Sequence, residues 1–263
     1  MSFTKKLTKA ALAAAFMAVG STPLAAQIVN IESSRLHTDS ARVGGQANLS
    51  FHFSDNNNRR LLTTRSALVL QLKSKNYRDL WLLLANADFS RANGEAFSNS
   101  AFLHARYNRK LGGGRWRWEV FGQLQSNRLL GIQTRLLSGA GPRLKWLGRP
   151  WANAYAGALY MYEYEAAAVA PRPIERQHRL SAYLSATLNL PRWLPGLFIT
   201  TTYYQPRLDK GADFRLSHES SLELSITARV KAIARYTFLY DAFPPAGIRS
   251  RAQVVEQGLK VAF

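Results

Sequence analysis

Arg179-Leu180-Ser181-Ala182-Tyr183-Leu184-Ser185-Ala186-Thr187-Leu188 is the stretch that decides the fold class. Leu180, Ala182, Leu184, Ala186 and Leu188 alternate with Arg179, Ser181, Ser185 and Thr187. Successive side chains of an extended chain point to opposite faces, so a period of two gives one apolar and one polar face. A helix would spread the same residues around its whole circumference.

The unit recurs in both directions. Ala47, Leu49, Phe51 and Phe53 alternate with Asn48, Ser50 and His52; Trp116, Trp118, Val120 and Leu124 alternate with Arg117, Glu119, Gln123 and Gln125. Ala232, Ala234, Tyr236 and Phe238 do the same with Lys231, Arg235 and Thr237. Twelve strands are predicted, near 43–53, 62–73, 80–88, 97–107, 116–125, 132–142, 151–164, 179–189, 197–205, 214–226, 230–240 and 252–263. Pro142 is expected to close a strand, because proline cannot donate to a sheet ladder. The resulting expectation is an all-β chain, an antiparallel up-and-down sheet of about 12 strands.

Alternation fits a soluble sandwich as well as a transmembrane barrel, and three features favour the barrel. The chain ends Glu256-x-Gly258-x-x-Val261-x-Phe263, an aromatic end preceded by alternate apolar residues, which resembles the insertion signal of bacterial outer-membrane barrels. With both chain ends in the periplasm, Trp81, Trp116, Trp118, Trp146, Trp151 and Trp193 fall beside periplasmic turns. Tyr160, Tyr162, Tyr164, Tyr203, Tyr204 and Tyr240 fall at the opposite strand ends, giving the two aromatic girdles that a bilayer demands. The longest connections, Glu165 to Arg176 and Asp241 to Arg251, are then extracellular, although the inner connection Arg143 to Arg149 is long for that topology. No apolar run of about 18 residues lies beyond the N-terminus, so spanning helices are excluded there.

The first 26 residues have the features of a secretory signal: Lys5, Lys6 and Lys9, an apolar stretch from Ala10 to Gly20, then Pro23 and a cleavage point near Ala26. Residues 27–42 are expected to form a periplasmic N-terminal segment and 43–263 the barrel. The chain has no cysteine, which fits an oxidising compartment and excludes a lipoprotein anchor. Its formal charge of +19 falls to +16 without the signal's three lysines. Export to a Gram-negative outer membrane argues against nucleic acid as the partner of that charge. Lys73, Lys75, Arg78, Arg106, Arg109, Lys110, Arg115, Arg117, Arg143, Lys145, Arg149, Arg192, Arg229 and Lys231 collect at predicted periplasmic turns. Anionic outer-membrane lipids are the expected partners of this ring, with an acidic periplasmic protein as the second candidate. The barrel-assembly machinery is the expected partner during insertion.

The inward set mixes acids and bases. Arg117, Glu119, Arg135, Arg143, Glu163, Arg179, Glu219, Glu223, Arg235 and Glu256 are expected to form a lumenal charge network, joined by His52, Arg65, Asp88, His104, Arg106, Lys231 and Lys260. Charges in a narrow lumen must be paired or hydrated. His52 and His104 have no carboxylate at chelating spacing, so neither a metal nor a cofactor is expected. His218-x-Ser220 has the spacing of a nucleophile–base pair on the outer face, but Glu219 and Glu223 point the other way and leave the histidine without an acid. The leading expectation is a non-enzymatic barrel, either a narrow or gated porin-like channel or an envelope-structural protein. A lipid-modifying enzyme is the alternative.

Several short motifs also resemble one family. They are Tyr203-Tyr204-Gln205-Pro206, Asp213-Phe214-Arg215-Leu216-Ser217, Tyr240-Asp241-x-x-Pro244-Pro245 and Glu119-x-Phe121-x-Gln123. Arg135-Leu136-Leu137-x-Gly139-x-Gly141, Tyr162-Glu163-Tyr164-Glu165 and the early Ile28-Val29-Asn30-Ile31-Glu32 belong with them. Together they resemble the salt-induced outer-membrane protein family, a domain-of-unknown-function family. The resemblance implies an outer-membrane barrel and no reaction.

Overall fold

The computed structural model describes residues 42–56, 59–168, 173–227, 230–244 and 247–261. Most of the expected signal and periplasmic segment, and Phe263 of the insertion signal, lie outside the described residues. Twelve strands follow one another: β1 Val43–Asn56, β2 Arg59–Lys73, β3 Asp79–Ala92, β4 Glu95–Leu111, β5 Trp116–Asn127 and β6 Ile132–Arg149. The second half comprises β7 Ala152–Ala167, β8 Ile174–Asn189, β9 Gly196–Pro206, β10 Phe214–Ser225, β11 Val230–Asp241 and β12 Arg251–Val261. One 3₁₀ turn, Arg128–Leu130, interrupts the series, capped by the Asn127 side chain and closed by Gly131 with a positive φ of 64°.

Each strand pairs antiparallel with the next, in the order β1 to β12. Among the described residues no ladder joins β12 back to β1. The sheet nonetheless curls on itself. Tyr183 on β8 donates to Glu119 on β5 at 2.5 Å, across two intervening strands. Glu256 on β12 lines the same cavity as Asn48 and Ser50 on β1. The architecture is thus an antiparallel up-and-down β-barrel, with alternate side chains directed inward and outward along every strand.

β6 departs furthest from expectation, running to Arg149, while β8 begins five residues earlier than expected, at Ile174. Pro142 does not close β6 but lies within it, opposite Trp118 of β5, and the strand continues to Arg149. β6 pairs with β7 at Ala140 and Arg143 but not at Gly141 and Pro142 between them, so the missing N–H falls where that ladder is interrupted. The long inner connection expected at Arg143 to Arg149 is therefore strand, and only residues 150–151 turn the chain. Irregular register at Gln125/Asn127 and Lys145/Leu147 adds local twist near the ends of this strand.

The outer wall carries the tryptophans exposed: Trp81, Trp116, Trp118, Trp146, Trp151 and Trp193. Tyr204 is exposed near the other rim and Tyr160 is exposed near the middle of β7, whereas Tyr203 is buried and points inward against Tyr183, so it is not a girdle residue. The interior also departs from a purely polar lining. Phe121, Leu137, Leu159, Met161, Tyr183 and Tyr203 form one buried cluster, and Leu82, Leu84 and Phe102 another. The run Leu80-Trp81-Leu82-Leu83-Leu84 has apolar residues on both faces, which is what a strand buried on one side and covered on the other needs.

Candidate functional site

The barrel interior holds two dense ion clusters. In the first, Glu119 is wholly buried on β5. Its Oε1 accepts from Arg143 Nη1 at 3.0 Å, and its Oε2 lies 3.6 Å from Arg106 Nη1. Arg143 also stacks its guanidinium 3.9 Å from the Tyr155 ring centroid, so its flat faces are covered as well as its edge. Arg117 faces the same ring at 5.9 Å.

The second cluster centres on Glu163 of β7. Arg179 Nε donates to its Oε2 at 2.7 Å, Arg135 Nε lies 3.2 Å from its Oε1, and Arg215 donates to the same Oε1. Glu165 accepts from Arg135 Nη2 at 2.6 Å and from Arg215 Nη2 at 3.0 Å. Arg179 goes on to Asp213 Oδ1 at 2.9 Å, and Arg215 to Asp241 Oδ2 at 2.8 Å. Three arginines thus meet four carboxylates. Removing such ions from water costs several kcal/mol each, and only dense mutual pairing of this kind offsets that cost.

A looser third group lies towards β12. Arg235 approaches Glu219 at 3.6 Å and Glu256 at 3.2 Å, and Lys231 donates to Glu223. The structure therefore brings all ten residues of the expected network to the interior, in three groups. Sequence reasoning missed Glu165, Asp213, Arg215 and Asp241. Arg215 and Glu165 share the parity of Glu219 and Glu163, which was the available signal. Asp213 lies in a connection, where periodicity says nothing. Arg106 and Arg143, expected in the periplasmic ring as well, are buried inside the barrel. Arg229 lies outside the described residues.

The opposite side of the interior is open. A cavity of about 490 Å³ is lined by Asn48, Ser50, Asp88, Ser100, Gln125 and Glu256, among others. Its one internal ion pair, Arg65 Nε to Asp88 Oδ2 at 2.8 Å, is partly exposed. His104 lies deeper, with Nδ1 3.1 Å from Gln123 Oε1 and its ring stacked 5.6 Å from Phe121. Among the described residues no three His, Cys, Asp or Glu side chains gather as a metal site would require.

On the outer face, the structure does bring His218 and Ser220 together. Ser220 Oγ lies 3.0 Å from His218 Nε2, and the other ring nitrogen meets Thr202 Oγ1 at 2.8 Å. The partner of Nδ1 is thus a hydroxyl from β9, which cannot supply the negative charge that stabilises an imidazolium. Thr200 Oγ1 lies a further 3.0 Å from Ser220 Oγ, so the four groups form a row that satisfies its own hydrogen bonds.

A family model described as "Protein of unknown function, DUF481" matches residues 62–263. No curated protein matches the chain. Among solved structures, the NanC porin in a rhombohedral crystal form is similar at 12% identity and a TM-score of 0.48, over 84% of this chain and 98% of that one. A bacterial polysaccharide outer membrane secretin is similar at 12% identity and 0.48, covering 84% and 91%. The beta domain of the Bordetella autotransporter BrkA follows at 11% and 0.41, covering 85% and 100%.

Proposed function

Given that the chain belongs to the DUF481 family, whose description names no activity, we propose its role from its interior: an outer-membrane barrel forming a narrow channel for small polar solutes. The observation that carries this reading is the division of the lumen. One side, from β4 to β10, is filled by arginine–carboxylate clusters and apolar side chains packed across the barrel. The other side keeps an aqueous space walled mainly by serine, asparagine and glutamine. A twelve-stranded barrel is wider than side chains alone can fill, and here the packed half narrows it rather than closing it.

The exposed tryptophans at one end and Tyr204 at the other support a bilayer location, with an apolar belt between. The basic residues that remain at the tryptophan end, including Lys73, Arg109, Lys110, Lys145 and Arg149, suit anionic head groups of the inner leaflet. Residues 1–26 are read as the export signal.

Reconstitution into planar bilayers tests the channel. Small, discrete conductance steps are the expected result; large, stable pores at neutral pH would contradict a half-packed lumen. The membrane reading is tested separately: extraction that needs detergent and heat-modifiable gel migration support it, and release by salt alone sinks it.

A further inference from the structure

The outer wall is uneven. Around β3 to β8 its middle carries chiefly aliphatic side chains such as Leu83, Leu103, Val120, Leu136 and Leu184. From β9 to β12 it turns polar. The hydrogen-bonded row Thr202, His218, Ser220 and Thr200 crosses β9 and β10, and the Tyr236 ring of β11 lies 6.2 Å from His218. On β12, Gln253 and Gln257 point outward and are exposed, alternating with Val255 and Leu259 on the same face. Their ladder neighbours on β11 are Phe238 and Ala234. Neither side-chain amide makes a hydrogen bond among the described residues.

The row on β9 and β10 is self-satisfied, but the two glutamines are not. An amide held in hydrocarbon without a partner costs several kcal/mol, and the bilayer core contains no water to replace that partner. A wall with two such groups needs protein against it. This wall has no formal charge below Arg251, so two copies of it do not repel. Amides, hydroxyls and imidazoles each donate and accept, so like can pair with like. A two-fold axis along the membrane normal sets equal depths opposite one another, and the small Ala232 and Ala234 beside β12 allow close approach.

We propose that the β9–β12 wall is the contact face of a two-fold homodimer within the membrane, with Gln253 and Gln257 hydrogen-bonding to the second copy. The inference rests on the membrane reading above. The chain contains no cysteine, so Gln257→Cys and Gln253→Cys each introduce a single thiol. Mild oxidation of membranes from expressing cells is expected to give a disulfide-linked dimer of either variant, while Val120→Cys on the far wall stays monomeric. Replacing both glutamines with leucine is expected to weaken association about tenfold in detergent, with heat-modifiable migration kept. The proposal is overturned if both glutamine-site variants remain monomeric or cross-link no more than Val120→Cys while embedded in the membrane. Cross-linking to a different protein overturns it as well. Release of the protein by salt alone would remove the membrane reading and the dimer with it, which separates the two failures.

Discussion

Glu163 shows how much of the interior depends on single groups. Its two oxygens serve Arg135, Arg179 and Arg215, which come from β6, β8 and β10. Glu163→Gln keeps the shape but removes the charge, leaving three buried guanidinium groups to share Glu165, Asp213 and Asp241. Removing one partner of a buried ion pair costs about 3–5 kcal/mol, so the free energy of unfolding measured in denaturant should fall by that order. A loss below about 1 kcal/mol would mean that water already reaches the cluster. Gly141 is a second sensitive position, for a steric reason. A Cβ there would lie 2.3 Å from the carbonyl oxygen of Ala158. That atom belongs to the neighbouring backbone and cannot rotate away, so Gly141→Ala must push β6 and β7 apart. The expected cost is about 1–3 kcal/mol in the same unfolding measurement. Gly122→Ala, where no atom lies within 4 Å, serves as the control and should be tolerated.

At the scale of strands, period-two alternation was enough to locate all twelve, because a barrel wall imposes it on nearly every residue. Strand ends were harder to read. β6 runs seven residues beyond Pro142, and the sequence hides this because proline normally ends a ladder. The exception depends on tertiary geometry: Gly141 lets β7 approach so closely that the ladder is already broken there. The same limit applies to the lumenal network. Parity along β5 to β8 revealed Glu119, Arg143, Glu163 and Arg179, since a charge inside a half-apolar strand can face only one way. It could not reveal that Leu159 and Met161 share that inner face, because apolar residues are legible as outward only when the other side is polar. Nor could it reveal that Thr202 would meet His218, a contact set by the pairing of β9 with β10.

At the scale of the whole molecule, the half-packed lumen dictates how a channel here should treat ions. Glu119, Glu163 and the arginines bonded to them are buried, and none of them lines the open cavity, so they present little field to an ion passing through it. Selectivity then falls to the charges along the open cavity, chiefly Arg65 and Asp88, 2.8 Å apart, and Glu256, held by Arg235 at 3.2 Å. Each is half of an opposite-sign pair, and a channel lined by neutralised pairs and hydroxyls should discriminate weakly between cations and anions. The reversal potential across a salt gradient should therefore lie near zero in the unaltered protein. Asp88→Asn leaves Arg65 uncompensated and should move the potential towards anion preference. Arg65→Gln frees Asp88 and should move it the opposite way. The two shifts must have opposite signs and shrink as ionic strength rises, because Arg65 is mostly exposed and screening falls to about 3 Å in molar salt. Shifts of the same sign, or none from either variant, would show that ions take a path that bypasses this cavity.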